Sequence, residues 1–163
     1  MTDGSRVLVS IRIKAPVDRV FEAFTTEIDH WWRPNQLFPF TPGPSGVLSF
    51  EVEPYRRLVE TSSSGTVFEI GRIKLWEPPH RLVATWTEST FAEDQETELR
   101  VSFEPVGTET RVTVEHVGWD SIPRDHLARH GFELMVFQRR LAEWWRELLD
   151  SLRGKVVPTG WQG

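Results

Sequence analysis

One long amphipathic stretch, preceded by strand after strand with a single apolar face, leaves this chain few ways to fold. Leu127, Gly131, Leu134, Gln138, Leu141, Trp145, Leu148 and Leu152 recur at alternating steps of four and three, which predicts a helix over about 125–152 with one buried stripe. Asp125 is its expected N-cap and Gly154 its expected stop. Upstream, Leu82, Ala84 and Trp86 share one face of a strand, as do Leu99, Val101 and Phe103, and Val112, Val114 and His116. That is the pattern of an antiparallel sheet covered on one side. Only one long helix is available to cover it, so the sheet must curve around that helix. The expectation is an α+β helix-grip architecture of about seven strands, with an apolar cavity whose mouth lies where Gly131 offers no side chain.

The rest of the chain fits this plan. Val7–Lys14 reads as the first strand, and Val17, Val20, Phe21 and Phe24 mark a short helix after Pro16. A second helical piece spans Ile28–Trp32 and ends before Pro34. Residues 34–46, rich in Pro and Gly, form a loop. Further strands are expected at Val47–Glu53, Arg56–Thr61, Thr66–Glu77, Arg81–Thr87, Thr97–Glu104 and Thr110–Val117, with a polar, acidic loop over 88–96. The reading is one domain over 1–163 with its core at about 7–152, and a loose tail in which Trp161 is free to tuck back.

Several function classes fall away. With no cysteine, neither a disulfide frame nor a thiolate zinc site is possible, and a reducing, cytoplasmic setting is permitted. The polar start has no signal-peptide pattern, and no run approaches the roughly 20 apolar residues of a membrane span. A net charge of −5 without a basic cluster argues against nucleic acid as a partner. No Ser-His-Asp order, phosphate loop or acidic metal cluster appears, so no cofactor is expected. His126 and His130 stand four apart on the first turns of the predicted helix, but no glutamate lies between them; they read as solvated, and no metal site is expected. Oligomeric state is left open, a homodimer included.

The aromatics point to a pocket. Eight Trp and ten Phe stand beside a single Tyr, a balance suited to apolar walls. Trp31, Trp32, Trp86 and Trp119 are the leading lining candidates, with Phe24, Ile73, Phe103 and Leu134 beside them; Trp144 and Trp145 read as packing. His116 either faces the cavity as a hydrogen-bonding or proton-carrying imidazole, or is a satisfied core histidine. Glu60 is either an inward acid that orients a ligand, with Arg72 as partner, or half of a surface ion pair; Glu69 lies on the adjacent strand.

A set of motifs then adds a resemblance: Ile13-Lys14-Ala15-Pro16 with Val20–Thr25, His30-Trp31-Trp32, Gly71-Arg72-Ile73, Trp76-Glu77-Pro78-Pro79 with Arg81-Leu82-Val83, Thr85-Trp86, Glu98–Val101, Thr110–Val112 and Glu115–Trp119. In this order and spacing the chain resembles the START-like, helix-grip (SRPBCC) superfamily, in the branch named for the C-terminal domain of the heat-shock chaperone ATPase activator. The resemblance implies the helix-grip fold and a cavity for a small apolar, aromatic or lipid-like ligand. It equally allows a cyclase or aromatase-type enzyme using Glu60 or His116, or a chaperone-ATPase regulator. The activator itself has an additional N-terminal domain with no counterpart in this reading. Fold alone does not choose among these.

Overall fold

A computed structural model describes residues 6–157; Trp161 and its expected docking lie outside them. The elements are β1 (Arg6–Ile13), α1 (Val17–Thr25), α2 (Ile28–Trp31), β2 (Val47–Glu51), β3 (Arg57–Thr61), β4 (Val67–Glu77), β5 (Arg81–Trp86), β6 (Thr97–Val106), β7 (Glu109–Val117) and α3 (Leu134–Val156), with 3-10 turns at Trp119–Ser121 and Leu127–Arg129. The strands form one seven-stranded antiparallel sheet in the order β1-β7-β6-β5-β4-β3-β2. The expected α+β helix-grip architecture is the one observed.

Register explains how α3 is gripped. Leu82 pairs with Val101, Val101 with Val114, and Val114 with Val9, so four strands contribute one apolar row. The next row is Ala84, Leu99, His116 and Val7. Against these rows α3 buries Phe137, Leu141, Trp145, Leu148 and Leu152. Each such side chain contributes about 1.5–3 kcal/mol by leaving water.

Two expectations for the helix are corrected. It begins at Leu134, with Glu133 as N-cap, so Asp125 caps nothing here and Gly131 is not on it. His130 and Gly131 both have positive φ (54° and 74°), which stops helix propagation. The buried Arg129 gathers the segment instead, donating to the carbonyls of Ile122 at 2.8 Å and Phe132 at 2.6 Å, with its guanidinium over the Phe137 ring. Leu127 is consequently 75% exposed. At the other end α3 runs through Gly154 to Val156, because a helical glycine costs only about 1 kcal/mol and Val156 still packs on the core.

The sheet's other half is less regular. Register shifts fall between Leu58 and Val59 in β3 and between Ile73 and Leu75 in β4. Gly71 lies so close to β5 that a Cβ there would stand 1.6 Å from the Thr85 carbonyl oxygen. No described helix is long and apolar enough to cross a membrane.

Candidate functional site

Between sheet and α3 the aromatic side chains form two adjoining groups. The first seals α1 to the sheet: Phe24 packs against Trp31 (5.0 Å between centroids) and Phe103 (5.5 Å), and the Trp31 indole N–H donates to the Ala23 carbonyl at 2.9 Å. The second surrounds Trp86. His116 approaches Trp86 at 5.1 Å and Trp119 at 5.5 Å; Trp145 lies 5.9 Å from Trp86, and Phe137 4.7 Å from Trp119. Trp32 covers this group, half-buried, with its ring against Phe40, Trp86, Trp144 and Trp145. These rings line the space between sheet and helix and also occupy it.

The sequence-derived candidates thus separate. Trp32, Trp86, His116 and Trp119 come together. Phe24, Trp31 and Phe103 form the neighbouring seal, Ile73 lies at the β4 bulge, and Leu134 is half-buried at the first turn of α3. Glu60 does face inward, paired in register between Leu48 and Phe68. Its carboxylate accepts from the Thr41 hydroxyl at 2.6 Å and the Gly46 N–H at 3.2 Å, so it holds the loop that leads into β2. Arg72 instead pairs with Glu96 at 3.6 Å, and Glu69 turns outward toward Arg57 at 3.9 Å.

The histidine is the informative group. The Thr97 hydroxyl donates to the Trp86 carbonyl at 3.0 Å, so its oxygen can accept only from His116 Nε2–H, at 2.8 Å. That fixes the tautomer and leaves Nδ1 as a lone-pair acceptor, fully buried and unpartnered. Burial pushes the imidazole down to about 3, because the charged form loses its hydration there. The indole N–H groups of Trp119 and Trp145 are likewise buried without partners. One acceptor and two donors therefore stand unpaired within one group of contacting rings.

Trp145 was read from sequence as packing, as was Trp144. Both are buried in the core; they differ in that the Trp144 indole donates to the Arg33 carbonyl at 2.8 Å while its ring stacks on Phe38. The signal that could have separated them was spacing: Trp145 shares the stripe of Leu141 and Leu148, and Trp144 is a step of about 100° away. His126 and His130 lie on the segment before α3, not on it. His126 accepts from the Ala128 N–H and donates to the Thr90 carbonyl, and His130 donates to the Leu37 carbonyl. Among the described residues no group of three His, Asp or Glu could hold a metal ion.

A second buried carboxylate escaped the sequence reading. Glu88 follows Thr87, whose N–H and hydroxyl both reach the Ile70 carbonyl, at 2.8 and 2.9 Å. Its side chain is 5% exposed, and Oε2 has no partner. Burial pushes this carboxyl up to about 8.

The family model described as Activator of Hsp90 ATPase homolog 1-like protein matches residues 14–156. No curated protein matches the chain. Among solved structures the chain is similar to protein BH1534 of Bacillus halodurans, 19% identical with a TM-score of 0.66 over 93% of this chain and 96% of that one. It is similar to CalU16 of Micromonospora echinospora at 18% identity and a TM-score of 0.58, over 93% of this chain and 73% of that one. DynU16, from the dynemicin biosynthetic locus, is 21% identical with a TM-score of 0.62, over 96% of this chain and 48% of that one. At these identities the likeness is one of fold.

Proposed function

The chain belongs to the Activator of Hsp90 ATPase homolog 1-like family, within the START-like superfamily, and we propose that it binds a small aromatic or apolar molecule carrying one or two polar groups. The observation that supports this is the unpaired set His116 Nδ1, Trp119 Nε1 and Trp145 Nε1 within the ring group around Trp86. Folded proteins leave few buried polar atoms unpaired, each costing about 1–3 kcal/mol. A flat ligand with a matching donor and acceptor offsets that cost, while its body replaces one ring contact with another. Trp32 is the half-buried member of the group and begins the 32–46 loop, so its displacement opens the way in.

Binding is favoured over catalysis by the same geometry. An imidazole held near 3 takes up no proton at neutral pH. Glu60 is already committed to Thr41 and Gly46. A cyclase or aromatase reading that relies on Glu60 or His116 therefore lacks its acid–base group, and a chaperone-ATPase regulator reading has only the family description behind it. The biosynthetic locus of DynU16 is in keeping with a small-molecule ligand.

The test uses 1-naphthol and naphthalene, followed by tryptophan fluorescence and thermal melting. 1-Naphthol should raise the melting temperature and bind more tightly than naphthalene. Trp119→Phe and Trp145→Phe keep a ring and remove an N–H, so naphthol affinity should fall by about 1–3 kcal/mol. Equal binding of both probes, affinity unchanged in both variants, or no shift with either probe would refute the proposal.

A further inference from the structure

Beyond the ring group, the bend in the sheet forms a second recess. β4 and β5 pair in register from Glu77 and Arg81 as far as Ile73 and Ala84; beyond Gly71 only Thr87 still reaches β4, at the Ile70 carbonyl, before the loop that leads to β6. The groove so formed has a volume of about 260 Å³ and is lined by Phe68, Glu69, Arg72, Glu88, Phe91 and Glu96, among others. That is below the roughly 300–1,000 Å³ of sites for drug-sized ligands, so its occupant is small.

We infer that this groove is a site for a small organic cation, a primary ammonium on a compact aromatic or apolar body, with Glu88 as the group that receives it. Glu88 is buried with Oε2 unpartnered. The groove's single basic side chain, Arg72, is turned to Glu96. Among the described residues nothing positive thus answers this carboxyl, whereas an incoming ammonium would. Phe68 and Phe91, both half-buried, supply apolar faces on which the body and the edge of the cation can rest. A metal ion fits poorly, because no group of three metal-binding side chains occurs among the described residues.

The other charged groups lining the groove are Glu69 and Arg72 from β4 and Glu93 and Glu96 from the loop; His126, from the segment after β7, meets Phe91 edge-on and is held by Thr90. Burial favours a proton on Glu88 while the groove is empty, and a bound cation would take that proton's place. Binding at neutral pH should release a proton from Glu88 and tighten as pH rises toward 8. This site does not depend on the one proposed around Trp86.

Benzylamine is the probe, and benzyl alcohol its neutral counterpart, each titrated calorimetrically at pH 7 in two buffers of different ionisation enthalpy. Benzylamine should bind at least roughly tenfold tighter than benzyl alcohol, with proton release, as a carboxylate–cation contact requires. Glu88→Gln should lose that preference and the proton release; the amide is isosteric with the protonated acid, so the fold should hold. Trp145→Phe should leave benzylamine affinity within about twofold, its ring lying outside the groove. In the unmodified protein, carbon-13 NMR of the Glu88 carboxyl should show it ionising at lower pH when benzylamine is present. No benzylamine binding, equal affinity for the two probes, full affinity in Glu88→Gln, or a carboxyl signal indifferent to benzylamine would each overturn the inference.

Discussion

His116 and Glu88 are buried to nearly the same degree and meet opposite fates. His116 stands in the regular half of the sheet, in a row with Ala84, Leu99 and Val7, and every ring around it is packed. Glu88 stands where the sheet bends, beside a groove. Burial removes hydration from both, yet it lowers the base to about 3 and raises the acid to about 8. Both are neutral near pH 7. The difference lies in what surrounds them: His116 is enclosed by aromatic rings, whereas Glu88 belongs to the lining of a groove. The regular half stores its polar atoms behind rings, and the irregular half stores one beside a groove.

The largest effect expected from this contrast is in packing. Leu141 is fully buried on the stripe of α3 that faces the regular half, and Leu141→Ala should cost about 2–5 kcal/mol in a denaturant melt. Leu134→Ala, half-buried at the helix start, should cost clearly less. Equal losses would mean that the grip does not tighten along α3.

Next in size is the response to pH, where the two groups pull oppositely. His116 has an ordinary value of 6.5 and a folded value of about 3, so its contribution is intact above 6.5 and is lost as pH falls toward 3. Glu88 has an ordinary value of 4.5 and a folded value of about 8, so its contribution is intact below 4.5 and is lost as pH rises toward 8. Each slope approaches about 1.4 kcal/mol per pH unit within its window. Between pH 4.5 and 6.5 the two cancel, and stability should be nearly flat. Glu88→Gln should expose the histidine's slope there, and His116→Gln the glutamate's. A plateau that survives both substitutions would show that neither group is as deeply desolvated as its place implies.

The same division governs how far the sequence could be read. Strict alternation in β5, β6 and β7 named Trp86, Phe103 and His116 as inward residues, because a strand without a bulge keeps its faces. In β3 the shift between Leu58 and Val59 breaks that bookkeeping, which is why the face of Glu60 stayed open. Leu127, Gly131 and Leu134 keep helical spacing by accident: nothing in the pattern signals the positive φ at His130 or the carbonyls that hold Arg129. Glu88 hid in an acidic loop, where each carboxylate reads as solvated. The neighbouring Thr87 bonds to Ile70 across the bend, a contact between residues 17 apart that no local spacing records.

The smallest expected effect is the sharpest on whether the two regions are separate. Phe91 lines the groove and also meets Trp119 at 5.8 Å, and Trp119 meets His116 at 5.5 Å, so a packed path joins them. Charge cannot act along it: His116 is ionised only below about 3 and Glu88 only above about 8, so in the folded protein the two are never charged together. Any coupling must come from shifted rings. A double-mutant cycle of His116→Gln and Glu88→Gln, measured at pH 5, 6.5 and 8, should therefore be additive to within about 0.5 kcal/mol at each pH. A coupling above about 1 kcal/mol at all three would make Phe91 a movable partition within a single cavity. 1-Naphthol and benzylamine would then compete, whereas across two separate sites they bind at once.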